Sequence, residues 1–426
     1  MRPDTTENKI AFIRKYMKAQ NAATGSDVDQ NANVSNKNIA TMAAELPKKD
    51  IIALNRELMR QKLTSMYGED LAAQYEKDLA HHIIYKHDET SIFPYCCSIS
   101  LYPFLLDGLT KIGGSSTAPQ HLDSFCGSFI NLIFLVAGQF AGATATPEFL
   151  TYFDHFARKD YGENYIDRLD EVVEFTSRPS TLRDKLEHYF AQVTYTLNQP
   201  AGARGYQSIF WNIAYFDRDY FNSIFKDFVF PDGDEPCWET TKELQKLFMK
   251  WFNAERLKNI LTFPVETVNM HTVDGQYSDA ETADFMAEMW AEGASFFMYQ
   301  SDSVDSLSSC CRLRNGIEDN TFSYTLGAGG IETGSKGVIT LNLNRIVQDW
   351  TRESEEELPL YITAIVNRVH KYLTAFNEII WDSKNAGLLT IFNAGFIDLD
   401  KQYLTIGVNG FVEGAEYLGI PIDADS

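Results

Sequence analysis

Apolar positions along this chain follow two spacings. Residues 95–101, Tyr-Cys-Cys-Ser-Ile-Ser-Leu, repeat every second position. Cys96, Ser98 and Ser100 share one face, and Cys97, Ile99 and Leu101 share the other. That pattern predicts a strand with a polar side and an apolar side. On this argument Cys96 points at chemistry and Cys97 at packing. Residues 338–344 alternate in the same way, with Thr340, Asn342 and Asn344 opposite Ile339, Leu341 and Leu343. Another strand is expected over 261–270, downstream of the aromatic run at 209–216. Helical spacing predicts helices near 10–17, over much of 47–86, and over 129–142, 147–157, 182–197, 238–259 and about 353–382. Ser278 and Glu281 have the spacing of a capping box ahead of a helical pattern at 285–297. Turn formers crowd 25–38 and 198–208, which read as loops. Strands alternating with helices predict an α/β architecture.

The 426 residues suit a single large α/β barrel or two ordinary domains. The formal net charge of −22 repels phosphate backbones and argues against nucleic-acid binding. The most hydrophobic stretch, 129–141, contains Asn131 and Gln139 and falls short of the roughly 20 apolar residues a membrane span needs. It reads as a buried helix. The polar N-terminus lacks the apolar core of a signal peptide. Six cysteines in a chain this long do not make a disulfide framework, so a reducing, cytoplasmic setting is expected.

Four of the cysteines form two adjacent pairs, Cys96-Cys97 and Cys310-Cys311. Neighbouring cysteines rarely bridge each other, because the small ring strains the disulfide. One cysteine from each pair, brought together by the fold, would be a hydrogen-atom relay and a two-electron reductant. The second pair lies in a Ser-, Asp- and Gly-rich stretch, 301–314, read as a loop. It is either a buried structural pair or a reactive one. Asp305, Arg312 and Arg314 weigh against simple burial, and Arg312 would lower a thiol pKa. The glycine-rich segments at 202–205 and 327–330 are ordinary turns or phosphate cradles, with Arg204 and Lys336 supplying charge. Neither matches a P-loop or a dinucleotide fingerprint. His81, His82, His87 and Asp88 fit no standard zinc spacing. Cys126 and Cys237 read as structural.

With these segments in view, the chain resembles the class III, anaerobic ribonucleoside-triphosphate reductases, which are glycyl radical enzymes. The likeness is densest at 31–39, 85–90 (Tyr-Lys-His-Asp-Glu-Thr), 94–105 (Pro-Tyr-Cys-Cys-Ser-Ile-Ser-Leu-Tyr-Pro-Phe-Leu), 121–129, 200–208, 301–314 and 334–342. The resemblance implies a ten-stranded α/β barrel, here incomplete. It implies an N-terminal helical region, 1–90, with allosteric and dimer elements, and a partial barrel, 91–426, with a cysteine finger loop near 301–314. Cys311, followed by Arg312, matches the finger-loop cysteine that becomes a thiyl radical and abstracts the ribose 3′ hydrogen. Cys96 matches the cysteine of the opposite wall, which helps protonate the departing 2′ hydroxyl and supplies reducing equivalents.

The same resemblance points to substrate contacts at Asn198, Gly202, Arg204, Gly205, Ser335 and Lys336, and to an allosteric segment at Asn31, Asn33 and Asn36. Ribonucleoside triphosphates are the implied substrates, dNTPs and ATP the effectors, and a homodimer the assembly. The family's Arg-Val-x-Gly-Tyr glycyl-radical segment and its cysteine-rich zinc site have no counterpart in these residues. The expectation is therefore a second chain carrying the glycyl radical and structural zinc. An S-adenosylmethionine/iron–sulfur activating enzyme would install the radical. The alternative is a non-catalytic nucleotide-binding or assembly fragment of a split reductase.

Overall fold

The strand Trp211–Phe216 is buried at every position, as a parallel strand covered on both faces must be. The computed structural model of the chain describes residues 4–28, 36–174, 179–202, 205–304, 306–309, 313–316 and 331–422. It divides into two compact units, each discontinuous in sequence: 1–96 with 335–388 and 402–426, and 97–334 with 389–401.

In the second unit Trp211–Phe216 runs parallel to Thr144–Ala145 on one side and to Val265–Val273 on the other. Residues 97–98 pair in parallel with Thr144–Ala145, and Phe297–Ser301 with the 265–273 strand. The helices Leu122–Ala137, Phe149–Tyr161, Leu182–Leu197, Trp238–Lys258 and Ala280–Ala291 lie in the connections, where parallel strands require crossovers. Aromatic rings fill the space between helix and strand. Phe129 lies 4.7 Å from Phe149, Phe125 lies 5.0 Å from Phe156, and Phe149 meets Trp211 edge-on at 5.1 Å. The buried Trp211 indole donates to Thr146 Oγ1 at 2.8 Å, so the ring brings no unpaired N–H into the core.

In the first unit Ile84–Lys86 pairs antiparallel with residues 339–341 of the strand Thr333–Asn342. The strand Gln402–Asn409 pairs with that same strand. The helices Lys48–Tyr67, Glu69–Ala80 and Leu358–Asn385 pack with this group. Asp78 is the polar centre of their packing. Its carboxylate accepts both Arg368 N–H groups, at 2.7 and 2.8 Å, and the Tyr372 hydroxyl at 2.9 Å. Gly337 is required by close approach, since a Cβ there would lie 2.7 Å from Phe376 Cδ1.

The α/β expectation holds. Several local expectations change. The 95–101 strand is regular only over Cys96–Ser98, and both of its faces are buried. The polar–apolar alternation does not sort a wet side from a dry one. The helix expected at 129–142 spans Leu122–Ala137 and starts from an earlier cap at His121 and Ser124. The helix expected at 285–297 stops at Ala291, with Gly293 at φ 90°, and Phe297–Ser301 is a strand. Its N-cap is Asp279, not Ser278, whose hydroxyl instead donates to the His271 carbonyl. The helix expected at about 353–382 spans Leu358–Asn385, opening with Pro359 in its first turn, and a further helix, Leu343–Glu353, precedes it where the alternation at 338–344 ends. Among the described residues no helix is long and apolar enough to cross a membrane.

Replacing Asp78 with Ala leaves the Arg368 guanidinium without its counter-charge, and the expected loss is about 3 kcal/mol in denaturant unfolding. Gly337→Ala is expected to cost about 1–3 kcal/mol through its clash with the Phe376 ring. Phe376→Leu in the same chain should recover part of that loss, and thermal melts of the single and double variants test this.

Candidate active site

Cys96 is 3% exposed, and backbone contacts fix its place before any side chain does. The Tyr95 N–H is shared between the carbonyls of Ser335 and Lys336, each at 3.1 Å. The Cys96 carbonyl accepts from Gln402 Nε2 at 3.2 Å. The Ser335 hydroxyl donates to the Gly337 carbonyl at 3.1 Å and lies 2.8 Å from Thr405 Oγ1, which donates in return. Three of the expected site residues, Cys96, Ser335 and Lys336, thus fall in one neighbourhood. Cys97 is fully buried, with its Sγ 3.9 Å from Thr144 Oγ1.

Lys336 is itself buried, and its ammonium donates to Asn377 Oδ1 at 2.8 Å on the long helix. A second buried lysine, Lys86, lies beside that helix with its Nζ 4.2 Å from the centre of the Phe376 ring. Burial lowers its pKa from 10.5 to about 8. Sequence reasoning missed Lys86. The signal was its place in Ile84–Lys86, where it shares a face with buried Ile84.

In the second unit the described part of the expected 301–314 loop includes paired strand. Ser306–Ser309 pairs antiparallel with Leu313–Gly316, and Ser309 stands opposite Leu313. The stretch has no proline, so its backbone groups are free to pair. Residues 310–312 lie between those two positions in the chain. Cys310, Cys311 and Arg312 are outside the described residues. The approach to these two strands is anchored by the helix Arg218–Phe225. Tyr220 donates its hydroxyl to the Ser303 carbonyl at 3.2 Å, and Ser223 to the Val304 carbonyl at 3.5 Å.

Asn198 has both ends of its amide engaged. Nδ2 donates to the Thr194 and Phe263 carbonyls at 2.8 and 2.6 Å, and Oδ1 accepts the Thr262 and Phe263 N–H groups at 3.0 and 3.1 Å. Gly202 and Gly205 belong to a tight loop in which the Gly205 and Tyr206 N–H groups are bonded internally, to Gly202 and Ala201. Gly205 has φ 59°, a conformation that favours glycine. Arg204 and the 327–330 segment are outside the described residues, as are Asn31 and Asn33; Asn36 is exposed. Cys126 is fully buried, and burial pushes its thiol pKa well up.

Two buried carboxyls lay in no recognisable motif. Desolvation raises Glu266 to about 7; it accepts the Tyr215 hydroxyl at 2.5 Å, with Arg256 3.5 Å away. Burial raises Glu332 to about 7, with Lys401 at 3.8 Å. Ser278, His271 and Asp219 also converge. The hydroxyl and the carboxylate both meet Nδ1 of the ring, at 3.2 and 2.8 Å, so this is not the arrangement of a hydrolase relay.

The family model for anaerobic ribonucleoside-triphosphate reductase matches residues 45–425. The chain belongs to the anaerobic ribonucleoside-triphosphate reductase family. Among solved structures it is similar to the Thermotoga maritima anaerobic ribonucleotide reductase with citrate in the active site. That match has 30% identity and a TM-score of 0.77, and covers 91% of this chain and 67% of that one. The same reductase with dATP bound in the specificity site matches at 30% identity and a TM-score of 0.78, over 91% and 64% of the two chains. Its complex with dATP and CTP matches at 30% identity and a TM-score of 0.77, over 91% and 62%. This reductase-family chain therefore spans about two thirds or less of the length of those proteins. No curated protein sequence matched.

The buried lysine gives this family member a pH signature. Below pH 8 Lys86 is charged in both folded and unfolded chains. Between 8 and 10.5 the unfolded chain holds the extra proton, so folding stability rises with pH. Lys86→Met lacks this gain. Urea titrations at pH 7, 9 and 10.5 should show wild type gaining on the variant only above pH 8.

Proposed function

We propose that this chain is the thiyl-bearing part of an anaerobic ribonucleotide reductase that converts ribonucleoside triphosphates to deoxyribonucleoside triphosphates. The family match over 45–425, which spans both cysteine sites, carries the reading. The dATP and CTP held by the Thermotoga reductase support a nucleotide substrate and a deoxynucleotide effector. In this reading the Cys311 sulfur, as a thiyl radical, takes the 3′ hydrogen atom and becomes a thiol. The Cys96 S–H gives its proton to the 2′ oxygen, which leaves as water. An external reductant, formate or a small thiol protein, supplies two electrons, which with one proton make the new C2′–H bond, and a second proton restores the Cys96 thiol. Cys311 then returns its hydrogen to C3′ and is a thiyl again. Burial of Cys96 supports this chemistry, since such a radical must be kept from water and stray thiols.

The reaction needs a glycyl radical, which a complementing chain would supply after an S-adenosylmethionine/iron–sulfur activase has acted on it. A cytoplasmic homodimer with dNTP and ATP effectors, carrying allosteric elements in residues 1–90, completes the proposal. Substrate contacts from Gly202, Arg204, Gly205, Ser335 and Lys336 belong to it as well. Asn198 fits better as a brace for that loop, because its amide is fully used.

The test is anaerobic reconstitution with a glycyl-radical chain and its activase, measuring deoxynucleotide formed from CTP. Cys311→Ser and Cys96→Ser are each expected to abolish product, by about a thousandfold or more. A fully formed glycyl radical without product from wild type would favour a non-catalytic assembly role instead.

A further inference from the structure

A buried polar atom without a partner is costly, so each one marks either strain or a place kept for something outside the chain. Most such atoms among the described residues are hydroxyls, including those of Thr64, Tyr75, Ser98 and Thr241. Gln402 differs. The residue is 6% exposed and its amide is half used: Nε2 donates to the Cys96 carbonyl at 3.2 Å, while Oε1 is buried with no hydrogen-bond partner. The assignment of the two amide ends follows from chemistry. A carbonyl oxygen only accepts, so the end facing Cys96 must be the nitrogen. The unpaired atom is therefore an acceptor, one amide group away from the peptide that carries the Cys96 thiol.

Gln402 is well placed to hold that peptide still. It begins the strand Gln402–Asn409, which is tied to Ser335 through Thr405, and Ser335 in turn accepts the Tyr95 N–H. An acceptor waiting in a buried site fits a ligand that brings a hydrogen-bond donor. A triphosphate or a carboxylate brings only acceptors. A sugar hydroxyl brings a donor.

We propose that Gln402 is a positioning residue for Cys96, and that its side-chain oxygen accepts a hydrogen bond from the 2′-hydroxyl of a bound ribonucleotide. The inference rests on the reading of Cys96 as the group that protonates the departing 2′ oxygen, since that role brings this hydroxyl beside Cys96. The deoxy product lacks the hydroxyl and would leave Oε1 unpaired again, which favours its release.

The test compares Gln402→Leu and Gln402→Glu with wild type. Binding is measured on the chain itself by equilibrium dialysis with saturating dATP, using CTP and its 2′-deoxy analogue. One neutral hydrogen bond corresponds to about a fivefold change in affinity. Gln402→Leu should bind CTP about fivefold more weakly and the 2′-deoxy analogue unchanged. Equal losses for both ligands, or none for either, would overturn the proposal.

Gln402→Glu gives a second reading that does not depend on the Leu variant folding. A protonated glutamic acid keeps one donor for the Cys96 carbonyl and one acceptor, whereas its anion has only acceptors. Turnover of this variant in the reconstituted enzyme, relative to wild type, should fall as pH rises through the carboxyl titration. A constant ratio across pH 5–8 would count against a positioning role. Cys96→Ser separates the two claims: full turnover by that variant sinks the role of Cys96, whereas the dialysis comparison reports on Gln402 alone.

Discussion

Everything around the first cysteine site depends on backbone hydrogen bonds made by a very short strand. The amide hydrogens of Tyr95, Cys97 and Ile99 are all committed, to Ser335 and Lys336, to Ala143 and to Ala145, at 2.9–3.1 Å. With its amides locked at every second residue, the segment cannot slip in register. A one-residue slip would exchange Cys96 for Cys97. Two adjacent cysteines are chemically alike, so only the register tells them apart. It directs one thiol towards Thr144 and leaves the other beside the peptide that Gln402 holds.

The same economy governs the charged groups. Three lysines, Lys48, Lys86 and Lys336, and several carboxyls are buried among the described residues, and nearly all have a partner, Glu45 in the case of Lys48. Lys336 has Asn377, Lys86 has the face of Phe376, and Asp78 has Arg368 and Tyr372. Glu148 is fully buried, yet its carboxylate accepts the Leu101 N–H at 2.7 Å, which secures the chain where the cysteine strand gives way to the helix Tyr102–Asp107. A buried charge that lost its partner would cost several kcal/mol, so each of these pairings fixes the geometry of the segments that carry it.

Much of the architecture was legible because its signals are local. The helix Leu182–Leu197 matches its expected bounds, and its reciprocal cap between Thr181 and Asp184 is written into neighbouring residues. The Ser278–Glu281 spacing looked equally good and misled. Glu281 is drawn instead to Lys242 and Lys246 on another helix, and Asp279 takes over the cap. The finger region read as a loop because serines and aspartates favour turns. Pairing between Ser306–Ser309 and Leu313–Gly316 overrode that preference.

From the sequence alone came the family, the α/β class, the two cysteine pairs and the argument for Cys96 over Cys97. These rest on residue type, order and period, which a linear chain carries in full. Only the tertiary structure decided that both faces of the cysteine strand are buried, that Asn198 is saturated, that Lys86 is buried against an aromatic ring, and that Gln402 reaches back 306 residues to the Cys96 carbonyl. Those facts depend on which distant backbone segments become neighbours. Hydrogen-bond partners at that separation leave no periodic trace in the sequence, because any residue with the right donor in the right place would serve.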